Sequence, residues 1–347
     1  MSAAVLAIRL RALGDVVLTT PALRSLAEGH PGSALHVVTE NRFVPLVEGL
    51  PFVARVHGVE RTDASTRAVV ATLRREGVSL AVDFFGNSRS AVIARASGAS
   101  QVWGYDLRGR RALYTDTVPR EQRGPGDRRE HAVAVHLRLA KAAGGAESSA
   151  SPQVARLAAA DVEAARLLAS AGIREASRAV GLVPAGSWST KMWPLSHTAL
   201  LARDLHTAGH EVLALVGPGE ERLAERLVAL APRVRVSPPC GVGTLVAMIA
   251  RLRAVVGTDS GPRHVAAALG VPSFAWFGPT HPDTWNPVGA EHGFWRSDLP
   301  CRGCDRTRCS HWNCLPGLSP ETGARLVLDH LERHARTPAD LGPAARA

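Results

Sequence analysis

The chain has 347 residues, 46% of them hydrophobic, and a formal net charge of +10. That length supports two domains of ordinary size with separate cores, and the composition excludes a disordered chain. No apolar stretch approaches the roughly 20 residues needed to cross a bilayer, and arginine breaks the opening run "MSAAVLAIRLR" too soon for a signal peptide, so a cytoplasmic protein is expected.

The first half opens on the strand "AAVLAIRL", the loop "RALGD" and a helix from about Val16 to Glu28. Strands follow at Ala34–Thr39, near Val53–His57 and at Leu80–Phe84, with a helix over Ser65–Glu76. Short apolar runs alternating with helices indicate parallel strands covered on both faces. The polar break "ESSASP" at 147–152 and a short helix, Ala160–Ala171, lead into the second half, with the boundary near 150–176.

The second half repeats the scheme. "RAVGLVPAG" is a strand running into a loop, and "LSHTALLARDLHTAG" is a helix with apolar residues at 195, 200, 201 and 205. "HEVLALVGPGEE" and "RAVVGTDSGPRHVAAALG" each read as strand, turn and helix; "VPSFAWFGPT" is a strand ending in a turn. A last helix spans Ser319 to His334, and the tail "TPADLGPAARA" reads as disordered. Strands that end in glycine-containing loops at helix N-termini are where open α/β sheets bind ligands.

Only Lys141 and Lys191 of the 41 basic residues are lysines. The charge suits an anionic partner: nucleic acid, a phosphorylated substrate or an acidic membrane surface. Arginine and alanine richness is equally what a GC-rich genome produces. The densest basic region, Arg108 to Arg129, is a Gly- and Pro-containing loop without interleaved aromatics, and no nucleic-acid-binding motif occurs. No nucleic-acid partner is expected.

Four segments carry candidate chemistry. In "RLRALGDVVLTTPALRSL", Asp15 sits at the turn before a helix. It can cap that helix, or act as a carboxylate that takes a proton from a hydroxyl. In "PAGSWSTKMWP", Ser187, Ser189 and Thr190 precede Lys191 at a strand's end, a combination that suits a phosphate or an ordinary polar turn. In "LVGPGEERLAERL", Glu220 opens a helix, where it complements the dipole or accepts from ribose hydroxyls. In "GTDSGPRHVAAALGVP", Asp259 or Ser260 can cap, Gly261 lets a ligand approach the backbone, and His264 can donate to an anion. No G-x-G-x-x-G occurs, which argues against a dehydrogenase-type dinucleotide fold.

Taken in order, "IRLRALGDVVLTTPALRSL", "VDFFGNSRSAVIARASGA", "PAGSWSTKMWP", "LALVGPGEERLAERL", "GTDSGPRHVAAALGVPSFAWFGPTHPDTW" and "CRGCDRTRCSHWNC" resemble the family 9 glycosyltransferases, the ADP-heptose:lipopolysaccharide heptosyltransferases. The resemblance covers nearly the whole chain. It implies an α/β GT-B fold: two Rossmann-like domains with parallel sheets facing across a cleft. Residues 1–160 would form the acceptor domain and 175–318 the nucleotide-sugar domain. The helix 319–335 would pack back on the N-terminal domain, and 336–347 would be a disordered tail.

The resemblance further implies inverting transfer that needs no catalytic cofactor, and no D-x-D pair is evident to hold a metal. Asp15 matches the family's catalytic base, Lys191 its phosphate-contacting lysine and Glu220 its ribose contact. Asp259, Ser260, Gly261 and His264 match its donor-binding segment. The implied partners are a nucleotide-sugar, ADP-heptose by family, and a phosphorylated or lipid-linked glycan acceptor such as the lipopolysaccharide inner core. Peripheral association with the inner face of the cytoplasmic membrane goes with such an acceptor. Two alternatives stand beside it: the same fold serving another nucleotide-sugar and acceptor, and a sugar-nucleotide-binding protein without transfer. The chain departs from the family at Met192, where a basic or polar residue is common, and in the arginine-rich loop 106–130.

Four of the five cysteines, Cys301, Cys304, Cys309 and Cys314, fall in "CRGCDRTRCSHWNC". Their spacing permits a structural zinc site of four thiolates; reduced cysteines packing a small loop is the equal alternative.

Overall fold

The computed structural model describes residues 4–120 and 129–337, and the chain divides into two compact units between Leu157 and Ala158. The first unit runs β1 (Ala4–Ile8), α1 (Leu13–Gly29), β2 (Ala34–Glu40), α2 (Val44–Val47), β3 (Arg55–Val59) and α3 (Asp63–Arg75). It continues through β4 (Val78–Asp83), α4 (Ser88–Ala96), β5 (Gln101–Tyr105), β6 (Asp116–Val118) and α5 (Ala132–Ala142). Its strands pair in parallel in the order β3-β2-β1-β4-β5-β6.

The second unit runs α6 (Ala158–Ser170), β7 (Ala179–Val183), α7 (Leu195–Thr207), β8 (Glu211–Ala214), α8 (Glu221–Leu230), β9 (Arg235–Val236) and α9 (Val242–Arg251). It continues through β10 (Ala254–Thr258), α10 (Gly261–Ala268), β11 (Ser273–Phe277), α11 (Pro282–Trp285), β12 (His292–Arg296) and α12 (Pro320–His334). The order is β12-β11-β10-β7-β8-β9, again parallel. Read from its own first strand, each sheet has the same doubly wound plan, with the order reversing between its first and fourth strands. The α/β architecture expected from the sequence is the one observed.

The strands are apolar because both faces of each sheet are covered. All five residues of β1, β7, β10 and β11 are buried. Helix α7 turns Thr198, Ala199, Leu201, Ala202 and Leu205 inward, a helical stripe. Helix α12 packs on α7, and its Val327 and Leu331 join the second core beside Trp193 and Trp276, whose ring centres lie 4.7 Å apart. Burying each such Leu stabilises the unit by about 2 kcal/mol. Ser319 caps α12 by accepting the Thr322 N–H.

Most element boundaries shift by one or two residues from the sequence reading, and two differences matter further. Helix α1 begins at Leu13 rather than Val16, because Ala12 already adopts the extended N-cap conformation and its carbonyl accepts the Val16 N–H at 2.9 Å. This moves Asp15 from a preceding turn into the helix's first turn. At the other end, Arg336 is ordered: its guanidinium donates to the carbonyls of Ala250, Leu269 and Gly270 at 3.0, 2.6 and 3.2 Å. It thereby satisfies carbonyls left over where α9 and α10 end. The remainder of the expected disordered tail, 338–347, lies outside the described residues, as does 121–128 of the arginine-rich loop. Among the described residues no helix is long and apolar enough to cross a membrane.

Gly104 and Gly257 are among the glycines dictated by close approach. Gly104 leaves room for the Tyr114 ring, which lies where a Cβ would project. Gly257, near the end of β10, has φ +140° and lies against the Val183 backbone of β7. Gly257→Ala should therefore cost about 3 kcal/mol through strain and overpacking. Urea unfolding followed by tryptophan fluorescence tests this, since six of the seven tryptophans lie in the second unit. An unchanged midpoint would show that β10 can yield there.

Candidate functional site

In the first unit, β1 and β4 end side by side, with Ile8 opposite Asp83. The chain leaving β1 turns into α1, whose third residue is Asp15. Its Oδ2 accepts the Ala12 N–H at 3.1 Å, so Asp15 does complete the helix start. Its Oδ1 lies 2.5 Å from Arg9 Nη2. Arg9 is buried; its Nη1 donates to the Phe84 carbonyl at 2.5 Å, and its guanidinium lies 5.2 Å from the centre of the Phe85 ring. The Asp15 side chain retains 30% exposure, so one side of the carboxylate remains open.

Asp83 beside it is sealed. Its Oδ1 accepts the N–H groups of Phe85 and Gly86 at 2.9 and 3.0 Å, and its Oδ2 accepts the hydroxyls of Ser90 and Tyr114 at 2.8 and 2.7 Å. Burial raises its carboxyl above the ordinary value, against the pull of those four donors. A carboxylate so enclosed organises the turn after β4 and is not available to a substrate.

In the second unit, β7 and β10 are the neighbours, with Val183 opposite Gly257. The loop after β7 carries Ser187 to Lys191, and the loop after β10 carries Asp259 to His264. Asp259 is buried, and its Oδ2 lies 3.1 Å from Lys191 Nζ and accepts the Thr280 hydroxyl at 2.9 Å. His264 Nε2 lies 3.9 Å from its other oxygen. Burial alone would raise the Asp259 carboxyl; Lys191, His264 and Arg263 outweigh it and leave it below its ordinary value.

Ser260 occupies the N-cap of α10, but neither it nor Asp259 caps the helix with its side chain. The Ser260 hydroxyl donates to the Thr258 carbonyl at 3.2 Å, and Asp259 is committed to Lys191 and Thr280. The start of α10, at Gly261, therefore keeps its positive end unneutralised by any side-chain cap, a place where an anion is stabilised. Lys191 stands beside it, its ammonium 5.4 Å from the Trp188 ring centre.

The other expected site residues separate. Ser187 and Ser189 are exposed on the Lys191 loop. Thr190 is buried and faces away: its hydroxyl donates to the Arg306 carbonyl at 2.8 Å, and its carbonyl accepts the Trp312 indole N–H. Those bonds tie the Lys191 loop to the cysteine-bearing loop. Glu220 bends back on its own turn, accepting the Gly217 N–H at 2.8 Å.

The cysteines of the window are free thiols. Among the described residues no group of three or more His, Cys, Asp or Glu side chains could hold a metal ion. Cys314 packs on the core beside Gly278, whereas Cys301 and Cys304 are exposed.

Three important residues escaped the sequence reading. Arg9 and Asp83 are charges at the ends of apolar strands, a signal that was available. Arg263 is the unspecified position of the Asp259–His264 segment, yet it is 1% exposed. Its Nη2 donates to Asn286 Oδ1 at 2.5 Å and the Gly293 carbonyl at 3.0 Å, and burial lowers its pKa to about 10.

The family model described as glycosyltransferase family 9 (heptosyltransferase) matches residues 66–314, well over half of the chain. Lipopolysaccharide heptosyltransferase 1 of Pseudomonas aeruginosa is 29% identical over 330 residues, covering 88% of this chain and 87% of that protein. A glycosyl transferase family 9 structure from Veillonella parvula aligns with a TM-score of 0.83 at 19% identity, over 96% of this chain and 98% of that one. The ADP-heptose lps heptosyltransferase II of Escherichia coli aligns with a TM-score of 0.77 at 20% identity, over 95% and 99%. The two structures share the fold of this chain, the GT-B pair of Rossmann-like units.

Removing the buried Asp259 charge should leave Lys191 and His264 without their counter-ion. Asp259→Asn is expected to cost about 3 kcal/mol of stability at neutral pH. Because the native carboxyl titrates below its reference value of 3.8, its contribution is complete above that pH and lost as pH falls through the depressed value. Denaturation of both proteins across the acid range should show the difference shrinking below pH 3.8. A constant difference would mean that packing, not charge, is responsible.

Proposed function

The chain belongs to glycosyltransferase family 9, and from that premise we propose that it moves a heptose from ADP-heptose to a hydroxyl of the lipopolysaccharide inner core, with inversion and without a catalytic metal. Support for the sugar, nucleotide and acceptor comes from the names of its relatives, the Pseudomonas lipopolysaccharide heptosyltransferase and the E. coli ADP-heptose enzyme. The observation that carries the reading is the division of chemistry between the two reversal points. One presents a part-exposed carboxylate, Asp15; the other presents an ammonium beside an uncapped helix start, Lys191 and Gly261.

In the proposed step, the acceptor oxygen forms a bond to the anomeric carbon as the bond from that carbon to the diphosphate oxygen breaks. The acceptor proton passes to Asp15, and the electron pair leaves with ADP. One displacement inverts the anomeric centre. Charge grows on the diphosphate oxygens, and Lys191, the Gly261 N–H and His264 are fixed groups suited to stabilise it. Asp259 serves by holding Lys191 and His264 rather than by meeting the donor. Arg108, Arg110 and Arg111 are suited to phosphates of a lipid-linked acceptor, in keeping with a reaction at the inner face of the cytoplasmic membrane.

Two experiments test this. Asp15→Asn should fold normally and lose about 100- to 10,000-fold in turnover; near-normal turnover would remove Asp15 from the mechanism. In a thermal-shift series with ADP-, GDP-, UDP- and dTDP-sugars, the ADP-sugar alone should raise the melting midpoint by mass action. Stabilisation by another nucleotide-sugar would reassign the donor, and binding without measurable transfer would leave a sugar-nucleotide-binding protein.

A further inference from the structure

Resting on the reading of Asp15 as the base, we infer that Arg9 is the positioning residue of this transferase: its guanidinium, locked by the turn after β4, holds the Asp15 carboxylate where it can take the acceptor proton. Three contacts fix the Arg9 fork. Nη1 donates to the Phe84 carbonyl, Cζ lies 5.2 Å from the Phe85 ring centre, and Nη2 faces Asp15 Oδ1. The Arg9 side chain is 4% exposed, so it cannot wander into solvent.

The turn that locks Arg9 is itself locked. The Phe84 N–H donates to the Ile8 carbonyl at 3.0 Å, continuing the β1–β4 ladder. Asp83 clamps the next two N–H groups, and Ser90 and Tyr114 clamp Asp83. Order therefore passes from the packed Tyr114, through Asp83 and the Phe84–Phe85 turn, to Arg9 and so to Asp15.

Charge explains why the pair forms. A buried guanidinium needs a counter-charge. Asp83 is already saturated by four donors, and Arg11, which shares the Phe85 ring at 5.9 Å, is itself an exposed cation. Tyr105 and His136, which also feel Arg9, are hydrogen-bonded to one another at 2.8 Å. Asp15 is left as the partner. Without Arg9 the carboxylate would keep only the Ala12 N–H and could swing about it. Lysine is only a partial substitute, because its one nitrogen must serve the carbonyl and the carboxylate that Arg9 meets with two separate nitrogens.

The test uses the full chain with ADP-heptose and heptose-deficient lipopolysaccharide, measuring ADP release, alongside the melting midpoint of each variant. Arg9→Gln should lower kcat about 100-fold with the KM for ADP-heptose unchanged, and Arg9→Lys should recover part of that loss. Because Arg9 acts through Asp15, the Arg9→Gln/Asp15→Asn double variant should be no slower than Asp15→Asn alone. Folded Arg9→Gln with wild-type kcat, a loss carried by KM, or a double variant slower by the full Arg9 factor would each overturn the positioning role while leaving Asp15 as the base. Unimpaired Asp15→Asn would instead remove the base itself. Should Arg9→Gln not fold, Arg9→Lys decides: a lower kcat at unchanged KM upholds the role, and wild-type kcat overturns it.

Discussion

Two adjacent parallel strands deliver two stretches of chain to the same edge of a sheet, and each stretch must then start a helix. That constraint, met where the strand order reverses, organises the chemistry of this molecule. At β1 and β4 it sets Asp15 beside the turn of Asp83 to Gly86. At β7 and β10 it sets Lys191 beside Asp259 and the start of α10. None of these neighbours is close in sequence, and the sheet alone makes them so. The close approach of Gly257 to Val183 shows how tightly the two loops of the second unit are drawn together at their base.

Once charges have been brought to such an edge, burial decides what they do. Of the acids there, Asp83 and Asp259 lie fully inside and have become structural, each consumed by donors that the fold supplies. Asp15 is the one left partly open. The cations divide in the same way. Arg263 is spent on Asn286 and the backbone of β12, and Arg9 on a carbonyl and a carboxylate, whereas Lys191 keeps 13% exposure and borders an uncapped helix start. Reactivity at these edges is what remains after the fold has satisfied its own polar groups.

This is also why the sequence revealed some of the site and concealed the rest. Apolar runs of strand length, alternating with amphipathic helices, were enough to read two parallel-sheet units, because such patterns have few other folded solutions. The loops after β1, β7 and β10 were legible from their Gly, Asp and hydroxyl content. Partnership was not. Nothing local says that Thr190 donates to Arg306, 116 residues away, or that Asp259 gives its carboxylate to Lys191 instead of the helix behind it. Helix α1 began earlier than its apolar periodicity suggested: the Ala12 carbonyl already accepts the Val16 N–H, which puts Leu13 and Gly14 in its first turn.

The base proposed at Asp15 must offer a lone pair as well as a charge, and much of the carboxylate's capacity is already engaged. An ionised carboxylate has about four acceptor positions on its two oxygens. Arg9 uses one on Oδ1 and the Ala12 N–H uses one on Oδ2. These two contacts grip different oxygens, so together they fix the plane of the group, which neither could do alone. The side chain keeps 30% exposure, so the carboxylate is open to a further donor. Arg9 therefore supplies orientation as well as a neutralising charge. For the transfer proposed above, a carboxylate held in one orientation serves better than one free to turn.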